Sequence, residues 1–276
     1  MKKIVCDSAA NLPTGNLNDV ACVNVPLTLQ IDGQAWVDDE QLKMADFLAA
    51  LAATKNPTSS SCPNIQQWLD AFNGGDEIYV ITITSVLSGS YNSAQQAATM
   101  YLEEHPEAKV HVFDSKSAGP TLALQAEKVA ELVKLGLSFA EVVSQVEAYI
   151  NQVELIFALG SLDTLAANGR VSSVVAKVTN LINIKVIGTA ENGNLKMLSK
   201  VRGMKKYYGA VLAQMEARGY HGGEVLIQHT QGLDVAEKLK EFVLAKYPQA
   251  PVRVGDLRAL CSFYAEKGGI MVGFVK

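Results

Sequence analysis

The sequence predicts an α/β protein of two domains, the first built on a parallel sheet and the second an α+β unit with a largely antiparallel or mixed sheet. Three observations carry that prediction. Short apolar runs at Lys2–Val5, Ile78–Ile83 and Val110–Phe113 alternate with helical stretches, the pattern of strands joined by helical crossovers. Two consecutive helical stretches then occupy Leu122 to Ile150 with no strand between them. Beyond them, Asn192-Gly193 lies between two strand-like segments, a strong hairpin signal that implies antiparallel pairing.

The elements follow in order. Met1-Lys2-Lys3 precedes only Ile4-Val5-Cys6 before Asp7 interrupts, which reads as a first strand rather than an export signal. Helices are expected at Ala45–Ala53 and Ile65–Phe72, then a buried strand at Ile78–Ile83 rich in β-branched and aromatic residues. An Ala- and Gln-rich helix follows over Asn92–Tyr101. Apolar residues recur at helical spacing from Leu122 to Leu135, and Ser138-Phe139-Ala140-Glu141 has the form of a capping box opening a helix to Ile150. A boundary within Ala148–Leu155 then divides the chain into residues 1–152 and 153–276. The second part carries the hairpin within Ile184–Leu198, strands at Glu224–Gln228, Val252–Leu257 and Gly269–Val275, and a helix over Val235–Lys246 opened by Asp234 and Glu237. No Pro- or Gly-rich linker separates the two, so they are expected to pack firmly.

Composition excludes several classes. The 276 residues are 49% hydrophobic and 19% charged, which suits a well-packed globular chain. A net charge of -4 with scattered Lys and Arg gives no basic face for nucleic acid. The longest apolar candidate for a membrane span, around Val171–Gly188, is interrupted by Lys177 and Lys185, so no integral membrane segment is expected and the reading is cytoplasmic. Cys6, Cys22, Cys62 and Cys261 are widely spaced, which fits reduced structural thiols better than disulfides or zinc.

Four constellations carry chemistry. Thr82-Ile83-Thr84-Ser85-Val86-Leu87-Ser88-Gly89-Ser90-Tyr91 joins a strand to a helix start, where unpaired N–H groups and the small Gly89 would cradle an oxyanion. Ser88 and Ser90 would equally serve as helix caps. Asp7-Ser8 lies at the C-terminal end of the first strand, the edge at which parallel sheets hold their sites, or else holds a turn. The hydroxyl run Thr58-Ser59-Ser60-Ser61 could donate to one anion, cap the next helix, or form an exposed polar loop. Asn168-Gly169-Arg170 brings one planar, permanently charged donor fork, or a surface turn.

Taken together these segments resemble the DegV family of bacterial lipid-binding proteins across nearly the whole chain. Asp7-Ser8 through Leu12 resembles its opening turn, Ser60-Ser61-Cys62-Pro63 its Thr-Ser-Gln-Pro loop, and Leu87-Ser88-Gly89-Ser90-Tyr91 its Leu-Ser-Gly-Thr-Tyr. Phe113-Asp114-Ser115-Lys116-Ser117 is similar to a family strand end, Asn168-Gly169-Arg170-Val171-Ser172 to its Gly-Gly-Arg-Ile-Ser, and Lys200-Val201-Arg202-Gly203 to its Lys-x-Arg-Gly. The resemblance implies a non-catalytic protein that holds one long-chain fatty acid between its domains, with the tail in an apolar tunnel. It also implies a partner, a fatty acid kinase that phosphorylates the presented carboxylate for phospholipid synthesis. By motif match, Ser60 or Ser61 and Ser88 would bond the carboxylate, Gly89 and Ser90 would complete the cradle, and Arg170 would lie near the head group.

The chain departs from the family near its C-terminus, where Tyr264 stands at the position of a family His. A phenol donates one hydrogen bond and is uncharged near neutral pH, so the change bears on phosphotransfer more than on binding. Two other functions compete. A serine hydrolase using Ser88 lacks a G-x-S-x-G elbow and any triad context for His105, His111, His221 or His229. A binder for a different lipid or amphipathic anion shares the same hydroxyl-rich motifs. Metal chemistry and nucleotide chemistry lack their spacing patterns, and no cofactor is expected.

Overall fold

Parallel pairing starts at the first strand. In a computed structural model that describes residues 1–172 and 184–276, β1 (Lys2–Asp7) is buried from Lys3 onward and pairs in parallel with β3 (Val20–Val25) and β7 (Glu77–Thr82). β8 (Lys109–Asp114) continues the parallel set beyond β7, and β2 (Gly15–Leu17) adds an antiparallel edge to β3, giving the order β2-β3-β1-β7-β8. A separate three-stranded sheet, β5-β4-β6, is formed by β4 (Thr28–Ile31), β5 (Gln34–Val37) and β6 (Ser59–Ser61). β4 and β5 turn over Asp32-Gly33, both at positive φ, while the hydroxyl run at Thr58–Ser61 ends as a strand paired to β4 rather than as a loop.

Helices α1 (Met44–Ala53), α2 (Ile65–Phe72) and α3 (Ser90–Glu104) cover this part, α2 opening on a capping box between Asn64 and Gln67. α4 (Pro120–Lys134) follows, then α5 (Phe139–Ile150), whose Ser138–Glu141 capping box is formed as the sequence indicates. α4 is apolar on nearly every side and is buried accordingly. It touches β1 and β7 on one flank and the second large sheet on the other.

That second sheet is mixed. It comprises β9 (Val153–Leu159), β10 (Ile184–Glu191), β11 (Asn194–Arg202), β12 (Val225–His229), β13 (Val252–Asp256) and β14 (Ile270–Val275), in the order β11-β10-β9-β14-β12-β13. Among the described residues only its β12–β13 pair is parallel. The hairpin turns at Asn192 and Gly193, both at positive φ, as a tight two-residue connection requires. Among the described residues four helices accompany the sheet: α6 (Asp163–Ala167), α7 (Met204–Ala217), α8 (Leu233–Lys246) and α9 (Ala259–Ala265). α8 starts two residues earlier than the sequence suggests; its N-cap is Gly232, without a side-chain cap bond, and Asp234 sits in the first turn facing the positive end of the helix dipole.

β9 connects the parts energetically. Leu155, Phe157 and Leu159 point into a core shared with the first sheet and α4, whereas Ile156 and Ala158 point into a second core against α7 and α8. The apolar stretch Val171–Gly188 falls largely on residues 173–183, Lys177 included, outside the described residues. Among the described residues no helix is long and apolar enough to cross a membrane. Cys6, Cys22 and Cys261 are buried free thiols, and Cys62 is an exposed one.

Candidate functional site

A cavity runs into the shared core, and its lining divides sharply by chemistry. Leu155, Phe157 and Leu159 of β9, Ile83, Ala118 and Met271 make it apolar, while Ser60, Ser88, Arg170 and Tyr264 gather at one end. These four come from β6, the loop before α3, the segment after α6, and α9, so the polar end is assembled from distant parts of the chain.

Each polar group is positioned by local geometry. On β6 successive side chains alternate, so Ser60 faces inward between the exposed Ser59 and Ser61. Ser60 Oγ and Tyr264 Oη are 2.7 Å apart, whereas Ser61 Oγ donates at 3.5 Å to the Thr28 carbonyl. Ser88 Oγ accepts the Ser90 N–H at 3.2 Å at the start of α3, which leaves its own proton free to donate into the cavity. Gly89, the N-cap of α3, lies close beside Cys62: a Cβ there would stand 3.2 Å from the Cys62 Sγ. Arg170 follows Gly169, whose φ of +74 turns the chain. Its Nε donates to the Leu87 carbonyl at 3.3 Å, its Nη1 donates to the Asn168 carbonyl, and its guanidinium lies 5.9 Å from the centre of the Tyr264 ring.

Ser90 is placed differently. Its side chain is fully buried, and its hydroxyl donates at 2.6 Å to Asp7 Oδ2 rather than pointing into the cavity. The same carboxylate accepts the Ile83 N–H at 2.8 Å and, through Oδ1, the Ala9 N–H at 3.2 Å. Removal from water nevertheless outweighs these bonds and raises the Asp7 carboxyl to about 6. Ser8 Oγ accepts the Leu27 N–H at 3.1 Å and bonds the Asp38 carboxylate. Asp7 and Ser8 thus lie behind the cavity wall, tying β1 to the α3 start and to the small sheet.

Asp38 and Asn11 seat the start of α9, the helix that carries Tyr264. Asp38, fully buried, accepts the Ala259 N–H at 3.2 Å and the Leu260 N–H at 2.9 Å at the start of α9. Burial also raises its carboxyl above the usual range, against the pull of those bonds and of Arg258. Asn11, at φ 57, accepts the Arg258 N–H at 2.9 Å and donates at 2.9 Å to Gln228 Oε1 on β12. Asn11 belongs to the Asp7–Leu12 segment noted above, but nothing in the spacing of Asp38 marks it as a helix clamp.

Among the described residues no group of His, Cys, Asp and Glu is arranged to hold a metal ion, and the cavity lining contains no His. A family model described as "Uncharacterised protein, DegV family" matches residues 1–276, the entire chain. The chain belongs to the DegV family. It is 42% identical over 275 residues to a DegV domain-containing protein of Streptococcus pyogenes serotype M1, with 99% of this chain and 98% of the relative covered. Its structure is similar to that of a DegV family protein from Eubacterium eligens loaded with heptadecanoic acid, at 39% identity and a TM-score of 0.96 with both chains fully covered. It is also similar to the Streptococcus pneumoniae fatty acid kinase B3 protein loaded with linoleic acid, at 40% identity and a TM-score of 0.95 over 99% of each chain. In this DegV-family protein the resemblance read from six short motifs thus extends over the full length.

Proposed function

We propose that this protein binds one long-chain fatty acid without transforming it. Its carboxylate would meet Ser60, Ser88, Tyr264 and Arg170, and its tail would fill the apolar cavity. The observation that carries this reading is the asymmetry of that cavity, apolar along β9 and polar only where those four residues converge. The acids held by the Eubacterium eligens and Streptococcus pneumoniae relatives support it. Each buried methylene contributes about 0.8 kcal/mol, so the tail supplies most of the affinity and the head-group residues fix its orientation. We further infer two domains, residues 1–152 and 153–276, with the ligand between them. In this reading the protein works in the cytoplasm and presents its acid to a fatty acid kinase, a role supported by the likeness to the pneumococcal protein.

Native mass spectrometry of the purified protein, followed by denaturing extraction and lipid identification, tests the reading. One fatty acid per chain is the expected result. A protein that is empty and takes up no added fatty acid overturns it and favours another amphipathic anion.

A further inference from the structure

Gly188 lies at a register shift in the β10–β11 pairing, and the space around it admits no side chain. A Cβ built on it would collide with Cζ and Cε2 of the Phe157 ring and stand 2.7 Å from the Lys196 carbonyl oxygen. The reason lies in the register. Gly188 of β10 pairs directly with Phe157 of β9, and Phe157 pairs on its other side with Met271 of β14. Met271 repeats the arrangement in the opposite direction: its Cε lies 2.6 Å from where a Cβ on Gly119 would stand, at the entrance to α4. Both Phe157 and Met271 line the cavity. Two neighbouring side chains therefore each lie against a glycine, and both border the cavity.

The depth of this point can be counted along β9. β9 ends at Leu159, from which the chain continues through α6 to Arg170, so we take Leu159 as the β9 residue nearest the polar end. Phe157 lies two residues deeper, about 7 Å at the rise of an extended strand, and Leu155 as far again. A short tail would stop beside Leu159, and a long one must pass between Phe157 and Met271.

We propose that Gly188 is a specificity-determining residue: by giving the Phe157 ring a place to lie, it sets the bore of the tunnel at mid-depth and admits tails long enough to pass it. The inference rests on the fatty-acid reading above and adds which part of the tail is measured and by what. A side chain at Gly188 drives the ring back toward Met271 and narrows the passage. A smaller residue at Phe157 widens it.

Competition binding with octanoate, palmitate and a mid-chain methyl-branched stearate tests this on the wild type, Gly188→Ala, Phe157→Leu and the double variant. Gly188→Ala is expected to weaken palmitate by about tenfold, the size of an ordinary overpacking penalty, while octanoate changes by less than about threefold. Phe157→Leu, which leaves the Gly188 backbone untouched, is expected to raise the affinity for the branched acid relative to palmitate by at least about threefold. The double variant should recover part of the palmitate binding lost in Gly188→Ala, because leucine lacks the ring atoms that collide with the new methyl, while the contact with the Lys196 carbonyl is common to both Gly188 variants. Equal losses for octanoate and palmitate in Gly188→Ala, or no recovery in the double variant, overturn the proposal. Should Gly188→Ala fail to fold, an unchanged branched-to-palmitate ratio in Phe157→Leu overturns it. A folded wild type that binds none of the three acids instead overturns the fatty-acid reading itself.

Discussion

Replacing Asp7 by Asn should change how stability depends on pH, with a sign opposite to that of an ordinary salt-bridged carboxylate. Asp7 is fully buried and its carboxyl is raised from 3.8 to about 6, chiefly by loss of water. The folded state therefore holds the proton more tightly than the unfolded chain does. Its stabilising contribution is complete below about pH 4, is lost as pH rises through about 6, and is gone by about pH 7. An interval of about two pH units, each worth about 1.4 kcal/mol, makes that loss about 3 kcal/mol. Asparagine can keep an oxygen toward the Ile83 N–H and the Ser90 hydroxyl, but its NH2 group then faces the Ala9 N–H, donor against donor. That cost does not vary with pH, so the informative quantity is the difference between variant and wild type. In urea unfolding at a series of pH values, the stability of Asp7→Asn relative to wild type should rise by about 3 kcal/mol between about pH 4 and pH 7.5. A flat difference would show that Asp7 ionises as it does in the unfolded chain. A falling one would show that its three donors, not its burial, dominate.

Three further outcomes are expected. Ser88→Ala should cost about 1 to 3 kcal/mol of fatty-acid affinity, equally for octanoate and palmitate, since the lost donor serves the head group; calorimetric titration showing unchanged affinity would remove Ser88 from the site. Tyr264→His should raise phosphorylation of the bound acid by a partner kinase if the phenol limits that step, and no gain in a coupled kinase assay would count against that reading of the position. Asp38→Ala should strip two N–H partners from α9 and destabilise the protein by about 1 to 3 kcal/mol, with faster amide exchange at Ala259 and Leu260; unaltered protection there would mean the helix is held by packing alone.

Much of the fold is legible because its strands are long and apolar. β1, β7 and β8 each run six residues and alternate with helices, and the Asn192-Gly193 turn announces its own hairpin. β4 and β5 are short and mix polar with apolar, but they form a local hairpin over Asp32-Gly33, both at positive φ, a turn pair as characteristic as Asn192-Gly193. β6 is hidden for the converse reason: it is three serines and owes its existence to pairing with β4, on the far side of α1. β9 begins inside the boundary region suggested at Ala148–Leu155 and runs on to Leu159, unmarked because a strand buried on both faces shows no alternation. At the site, the hydroxyls of Ser60 and Ser88 are visible as candidates, but whether a serine faces the cavity depends on strand phase and helix start. Ser61 turns outward on β6 and Ser90 turns inward to Asp7. Asp38 stays hidden, since a carboxylate that caps a helix more than two hundred residues away leaves no local trace.

That distance has a consequence for how the protein is made. The bonds that seat α9, from Asn11 to Gln228 and Arg258 and from Asp38 to Ala259 and Leu260, span 217 to 247 residues. While the chain is still emerging from the ribosome, Asp38 and Asn11 must wait for partners not yet synthesised, and Ser60 waits likewise for Tyr264. The greasy channel is therefore open along one side throughout translation, and its polar end is closed only as α9 arrives. Met271 of β14, which also lines the cavity, is synthesised later still, so the wall is complete only when the last strand takes its place between β9 and β12.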